Sequence, residues 1–496
     1  MAHNENEGKS QDEVANATNS DPSCGKLVAI SRCRINELLP NELLAYIFAI
    51  AIIDFLPKDS RHLLALVCSI CRRWRDVAIE ASNLWTTIYI HDEKHIPAAE
   101  FFLERSKTQL LDVDVVLERL DHFDCPSEED ASRNSRLRAA ELTSAHLERT
   151  RTLSLSIDDV REAEHFSTLY RPMSAPHLIS LSVDIPGWSQ GIAPFLESIC
   201  SLSSNGSDRI HLNGTSISSL TRLELTSVQL EHEELRIVFT YFPSLETLIL
   251  PRFDRKWGLE EDQEDPPIIS APSSLRSLAV HLDSMHVYAY AENSSHCSCV
   301  LGSVRFQNLE YLEVLGETSS DNLKLGIHFK DLPKLKTLRL QRCSVPPLDD
   351  DFFRSLKLLN HLELVDNLSH VKWLTESSPT RAILPFPHLS SISLSDKSRK
   401  SHDMSQWARL AQLAVQNSGC TQFSVKVTAH HHHSMTCALG PQDEHIRVEI
   451  EDYHPKLHRL LPPEDIVHWS DDDDDYDSYW DYPDHASDFD GYVYSD

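Results

Sequence analysis

Between Ile35 and Ile90 the apolar positions recur at helical spacing, and three short helices are expected there. Leu43, Leu44, Ile47, Phe48, Ala51 and Ile52 make the first apolar run. Pro40 fits its first turn, where a missing N–H costs nothing, and Glu42 is a favourable charge near a helix N-terminus. Pro57 stops this run. Ser60 is placed to cap a second helix carrying Leu63, Leu64, Leu66 and Val67. A third covers roughly Ile70 to Ile79, with Arg72, Arg73 and Arg75 around Trp74. So short a helical cluster has little interior. Its surplus apolar surface has two outlets, a partner or the rest of this chain.

Beyond it the pattern changes. Trp85 to Ile90 reads as a strand, Ala98 to Ser106 as a helix and Leu110 to Val116 as another strand. Residues 121 to 140 are charged and lack a period, so a loop is expected. Then Leu-x-x-Leu-x-Leu, with Val or Ile allowed, recurs in order. Its copies begin at Leu178, Leu220, Leu245, Leu275, Leu309, Leu335, Leu359 and Leu389, with a degenerate one at Leu153/Leu155/Ile157. From Leu220 onward they start about 24–34 residues apart, enough for a strand, a helix and two loops. Several are introduced by proline, at Pro176, Pro243, Pro272, Pro333 and Pro387. Helical filler is expected at Gly191 to Leu202, Glu231 to Tyr241, Asp350 to Leu359 and Ser405 to Gln416. Two more strands are expected at Gln422 to Thr428 and His445 to Ile450.

One strand with one helix cannot bury its apolar face alone. Stacked copies do so with a parallel sheet on one face and helices on the other. Strand side chains alternate, so the residues between the Leu positions should tile the sheet's open face. The plainer alternative is that these are ordinary strands of a non-repeat α/β domain.

Two family resemblances follow from these residues. Leu38-Leu39-Pro40-Asn41-Glu42-Leu43-Leu44, Ile47-Phe48, Leu66-Val67-Cys68, Cys71-Arg72-Arg73-Trp74-Arg75 and Leu84-Trp85 together resemble an F-box. Ile70-Cys71 is aligned with that family's Val-Cys step. The later Leu series resembles an irregular leucine-rich repeat solenoid, of a kind found in fungal-type F-box domain-containing proteins. The usual Asn or Cys beyond the last Leu is mostly absent, and Cys343 comes one place late. The expected fold class is therefore α/β: a three-helix F-box at 35–90, a leucine-rich-repeat-like solenoid at 91–429, a flank at 430–463, and disordered ends at 1–34 and 464–496.

Charge and composition narrow the partners. The 496 residues carry a formal net charge of −30, which disfavours nucleic acid and anionic membranes, since both need a basic face. The 11 cysteines show no regular framework, and Met1 to Ser20 lack a basic-then-apolar leader. Reduced thiols in a cytoplasmic or nuclear protein are expected. The longest apolar run, Leu43 to Ile53, falls short of the about 20 residues of a membrane span. Glu464 to Asp496 has no Lys or Arg, and its Asp471–Asp475 run forbids a core.

Candidate chemistry is sparse. His430 to His433 form a run, expected to be a solvated loop that does not converge ligands on a metal. His296, Cys297 and Cys299 lack a second Cys pair at zinc-finger distance. Gly8-Lys9-Ser10 ends like a phosphate loop without its first Gly or a preceding strand. The acidic tail lacks the ordered ligands of a calcium loop. With 13 glycines, backbone cradles for cofactors are not expected. No catalytic, metal or cofactor site is assigned.

The F-box resemblance implies an adaptor rather than an enzyme. Such a protein docks on Skp1, and through it on the cullin of an SCF-type (Skp1-cullin-F-box) ubiquitin ligase. The solenoid would present a substrate protein, raising its effective concentration at the ubiquitin-conjugating enzyme. Expected Skp1 contacts are Leu39, Pro40, Glu42, Leu43, Ile47, Phe48, Leu66, Val67, Cys71 and Trp74. Expected substrate contacts are the outward strand positions Arg222, Glu224, Tyr311, Glu313, Arg339, Gln341, His361 and Glu363, with Arg339 and Tyr311 foremost. The rival readings are an F-box scaffold outside ubiquitin transfer and, more remotely, a hydrolase using the His-rich region.

Overall fold

A computed structural model describes residues 38–53, 57–117, 126–157, 160–170, 175–185, 219–226, 230, 232–253, 267–282, 300–316, 325–329, 331–343, 350–365, 386–395, 404–418, 422–440 and 443–451. The chain divides into two compact units between Leu84 and Trp85. The expected disordered ends, the Gly8-Lys9-Ser10 and His296-Cys297-Cys299 motifs and the 191–202 helix lie outside the described residues.

The first unit is helical: α1 (Asn41–Ile53), α2 (Pro57–Ile70) and α3 (Arg72–Glu80). Its interior is Leu44, Phe48, Leu64, Val67, Val77, Ala78 and Leu84, all buried. Two boundaries differ from expectation. Pro57 does not merely end α1; it opens α2, because a fixed φ and a missing N–H suit a first helical residue. Ser60 therefore lies within α2. Pro40 sits just ahead of α1, where its carbonyl accepts from Leu44 N at 3.1 Å and closes the first turn.

The second unit is built on strands. In chain order these are β1 (Thr87–Ile90), β2 (Leu111–Leu117), β3 (Thr150–Ile157), β4 (Ser180–Asp184), β5 (Arg222–Thr226), β6 (Thr247–Phe253), β7 (Ile269–Ser270) and β8 (Ser277–Leu282). They continue as β9 (Val304–Arg305), β10 (Tyr311–Gly316), β11 (Thr337–Gln341), β12 (His361–Val365), β13 (Ser391–Ser395), β14 (Phe423–Val427) and β15 (Ile446–Ile450). All but β7 and β9 form one 13-stranded sheet in chain order, and β7 pairs with β9 as a separate ribbon. Every pairing is parallel, so each connection is a crossover. Described helices in the crossovers are α4 (Ile96–Arg105), α5 (Pro126–Ser144), α6 (Val160–Tyr170), α7 (His232–Tyr241), α8 (Leu325–His328), α9 (Asp350–Ser355), α10 (Ser405–Ser418) and α11 (Ala429–Leu439).

Register explains why the Leu pattern recurs. One row crosses the whole sheet through Ile88, Val113, Leu153, Leu181, Leu223, Leu248, Leu278, Leu312, Leu338, Leu362, Ile392, Val425 and Val448. Every member is aliphatic, and all but Val448 are buried. The adjacent row, one residue earlier on each strand, runs Thr87, Asp112, Thr152, Ser180, Arg222, Thr247, Ser277, Tyr311, Thr337, His361, Ser391, Ser424 and Arg447. Every member of that row is polar or Tyr. The first Leu of each copy is buried ahead of its strand. A turn closes onto several of them: Leu178 N donates to Ala175 O, Leu245 N to Phe242 O and Leu335 N to Leu332 O, at 3.1–3.2 Å. Pro176, Pro243 and Pro333 hold the second position of these turns, where a preset φ is favoured.

Three differences from the sequence reading stand out. Residues 121–140 are not a loop throughout, for α5 begins at Pro126 and buries Ala139 and Ala140. Its first half carries few apolar residues, which hides the period. The sheet continues past 429, with α11 and β15 adding another crossover and strand. Finally, alternation is clean on β4, β5 and β14, but β8, β10 and β11 bury residues on both faces. A second small apolar cluster, Ile249, Ala279 and Leu315, lies on the face away from the aliphatic row.

Candidate protein-docking site

Helix α3 is held at its start by its own motif residues. Cys71 is the N-cap, and its Sγ accepts from Trp74 N at 3.5 Å. Trp74 packs on Phe48, with ring centroids 5.1 Å apart, and so ties α3 to α1. Arg73 reaches the start of α1, where Nε and Nη2 donate to Asn41 Oδ1 at 3.1 and 2.9 Å and Nη2 also donates to Leu39 O. Arg75 Nε donates to Cys68 O near the end of α2, at 2.9 Å. The basic-aromatic run therefore orders the three helices.

That leaves an apolar surplus facing out. Leu43, Tyr46, Ile47 and Ile50 follow one another along α1 at spacings of three and four, and Leu66 and Ile70 do so on α2. These six side chains are 47–64% exposed. Leu38, ahead of α1, is also exposed. Of the expected contacts, Leu43, Ile47 and Leu66 lie on these stripes, Pro40 and Glu42 are exposed, and Leu39, Cys71 and Trp74 are half-buried. Phe48 and Val67 are instead enclosed within the helical cluster, so they shape the surface without facing out. Tyr46, Ile50 and Ile70 were not among the expected contacts. Helical spacing from Leu43 and Leu66 is the signal that finds them.

In the second unit the eight expected substrate positions fall into two groups. Arg222 and Glu224 sit on β5, with Arg222 Nη2 3.5 Å from Glu224 Oε2. Strands β6 and β8 separate them from Tyr311 and Glu313 on β10, Arg339 and Gln341 on β11, and His361 and Glu363 on β12. Register sets Glu313, Arg339 and Glu363 side by side. Arg339 Nε lies 3.2 Å from Glu313 Oε1, off the line of a hydrogen bond, and Nη1 donates to Glu363 Oε1. Tyr311 OH donates to Glu313 Oε2 at 3.0 Å, and His361 Nδ1 is 2.7 Å from Ser391 Oγ.

Burial changes the expectation for three of these. The Arg339 and Glu313 side chains are 2% and 0% exposed, and Gln341 is also buried. The Arg339 guanidinium is engaged between two carboxylates inside the protein, which corrects its expected outward display. Arg222, Glu224, Tyr311, His361 and Glu363 remain half-buried. Burial holds the Tyr311 phenol in its protonated form, and the neighbouring Glu313 carboxylate adds to the effect. Burial also raises the Glu224 carboxyl above its usual range, against the opposing pull of Arg222. On β2, Asp114 is raised for the same reason, against a hydrogen bond from Ser154.

His430 to His433 lie on α11, not in a loop. Among the described residues no group of three or more His, Cys, Asp or Glu is placed to hold a metal ion. No described helix is long and apolar enough to cross a membrane.

Residues 37–91 match the family described as F-box-like. The match takes in all three helices and continues through β1. The Leu84-Trp85 pair within the match straddles the boundary of the two units. Trp85 is buried and meets Phe101 and Phe102 edge-on, with ring centroids 5.3 and 5.0 Å away. F-box domains typically bind Skp1, so the match suggests Skp1 binding of the kind found in SCF-type ubiquitin ligases. No curated protein matches the chain.

Proposed function

We propose that the chain is a substrate-recognition adaptor of an SCF-type ubiquitin ligase, with the F-box-like helices docking on a Skp1-like protein and thereby on cullin. The observation that carries this reading is the row of exposed apolar residues on α1 and α2 in a unit that matches the F-box-like family. Contiguous exposed apolar surface of this kind marks a docking face. Leu43, Tyr46, Ile47, Ile50 and Leu66 supply the anchors, with Pro40 and Glu42 at the rim.

The second unit is then a leucine-rich-repeat-like solenoid that holds the target protein. Its support is the register itself, an unbroken aliphatic row beside an unbroken polar one. The half-buried polar positions Arg222, Glu224, Tyr311, His361 and Glu363 are the contacts offered to the target, while Glu313, Arg339 and Gln341 hold that face together. The chain itself contributes no catalytic step.

Affinity purification of the full chain with a Skp1-like protein and cullin tests the reading. Recovery of both supports the ligase adaptor. Recovery of the Skp1-like protein without cullin supports a scaffold outside ubiquitin transfer. Recovery of neither overturns the docking assignment.

A further inference from the structure

Strand β15 ends the sheet. One of its edges pairs with β14, and among the described residues no strand pairs with the other. Phe423 N donates to His445 O at 2.8 Å and Glu451 N donates to Val427 O at 2.9 Å, so residues 445 and 451 turn toward β14. Backbone direction alternates along a strand, so the N–H and C=O groups of Ile446, Val448 and Ile450 point out of the open edge. Such an edge is a template for pairing with another chain. The aliphatic face is open there as well. Ile450 is 53% exposed, whereas Ile88 and Ile90 on β1, at the other end of the sheet, are buried.

We propose that a second copy of this chain pairs with β15 edge to edge, antiparallel about a two-fold axis through Val448. The stretch His445-Ile446-Arg447-Val448-Glu449-Ile450-Glu451 is complementary to its own reverse. Centred on Val448, the pairing sets Ile446 against Ile450 of the second copy, Arg447 against its Glu449 and His445 against its Glu451. The open backbone groups then fall in hydrogen-bonded pairs, Ile446 with Ile450 and Val448 with its counterpart, each exchanging both bonds. Arg447 and Glu449 fall in the non-hydrogen-bonded pairs, where opposed Cα atoms approach to about 4.5 Å and opposite charges attract most. Within one chain Arg447 Nε lies 3.0 Å from Glu449 Oε1, and neither side chain is buried. Two copies join these pairs into one cluster of alternating charge. Register is specified too. Sliding one copy by two residues either way opposes Arg447 to Arg447 or Glu449 to Glu449, and a slip of one residue turns the aliphatic side chains to the wrong face. Chains of net charge −30 repel one another at most of their surface, so a self-complementary strand is where they can meet. None of this rests on the docking of the F-box-like helices.

Sedimentation equilibrium of the full chain reads the mass in solution. The wild type should rise from the mass of one chain to that of two as concentration increases. Arg447→Glu and Glu449→Arg each oppose like charges across the axis. Each variant alone should keep the mass of one chain where the wild type is paired. An equal mixture of the two variants should recover the doubled mass, because every contact across the axis between positions 447 and 449 is then between opposite charges. When dilute, both variants should melt as the wild type does, since exposed ion pairs contribute little to stability. A wild type that keeps the mass of one chain throughout overturns the proposal and leaves the edge to another segment of this chain or to a different protein. Pairing retained by both single variants, or no recovery in their mixture, overturns it as well.

Discussion

Helix α1 keeps Leu44 and Phe48 inside and turns Leu43, Tyr46, Ile47 and Ile50 outward, whereas the sheet sends an aliphatic row through all thirteen strands and buries all but its last member. Both regions are rich in apolar side chains. They differ in whether the region's own fold consumes them. The sheet's aliphatic row has a neighbour on each adjacent strand, so burial is internal and the energy goes into the fold. The helices have more apolar surface than three short segments can enclose, so part of it stays exposed on them. Substitutions should separate the two: stability should fall in the sheet, and binding should fall on the helices.

The largest stability effect is expected at Arg339. Arg339→Ala leaves the buried Glu313 and the half-buried Glu363 without their shared cation, and should cost about 3–5 kcal/mol in denaturant unfolding of the full chain. A cost below about 1 kcal/mol would show that the guanidinium is solvated instead of locked between carboxylates. Next come Leu338→Ala and Leu362→Ala, paired neighbours in the aliphatic row. Each should cost about 2–5 kcal/mol, with the value set by how far the cavity collapses. Unchanged thermal stability in both would break the register described above.

The helical stripe should behave in the opposite way. Leu43→Ala and Ile47→Ala remove exposed side chains, and each should shift unfolding free energy by only about 0.5 kcal/mol or less. A loss as large as that at Leu338 would mean the stripe is covered by this chain and is not a docking face.

The smallest effect sharpens the sheet side through pH. Burial raises the Asp114 carboxyl in the folded protein. The folded state therefore binds this proton more tightly than the unfolded chain, and the group's contribution falls as pH rises from the unfolded carboxylate range through the raised value. Asp114→Asn should raise the melting temperature slightly at neutral pH, with the gain fading toward pH 4. A gain that grows on acidification would reverse the assigned cause.

Much of this was legible from short-range pattern. Leu-x-x-Leu-x-Leu fixes which residues of a strand point inward, and Leu278, Leu312, Leu338 and Leu362 fall into one row as that pattern requires. The motif residues around Trp74 were legible for the same reason, since Cys71, Arg73 and Arg75 act on partners within the same small unit. What the pattern missed depends on distant sequence. Glu313 and Arg339 are outward by alternation, yet they are buried because their strands pair and their charges compensate. Charge alone made them resemble solvent-facing contacts. The enclosure of Phe48 was not legible from spacing either, because the ring it packs on, Trp74, comes from a different helix. The four histidines read as a loop because a run of one residue type has no period, while their helix buries one face through His431, Met435 and Leu439 at four-residue spacing.

The most direct test of the central claim measures affinity and stability on the same samples. The full chain and its Leu43→Ala/Ile47→Ala variant are titrated with a purified Skp1-like protein by calorimetry, and each is also melted alone. The account predicts at least about a tenfold loss of affinity, as expected for removing two buried interface anchors, with melting temperatures that coincide. Equal affinity in the two proteins would contradict it, and the exposed stripe of α1 would no longer be the docking face.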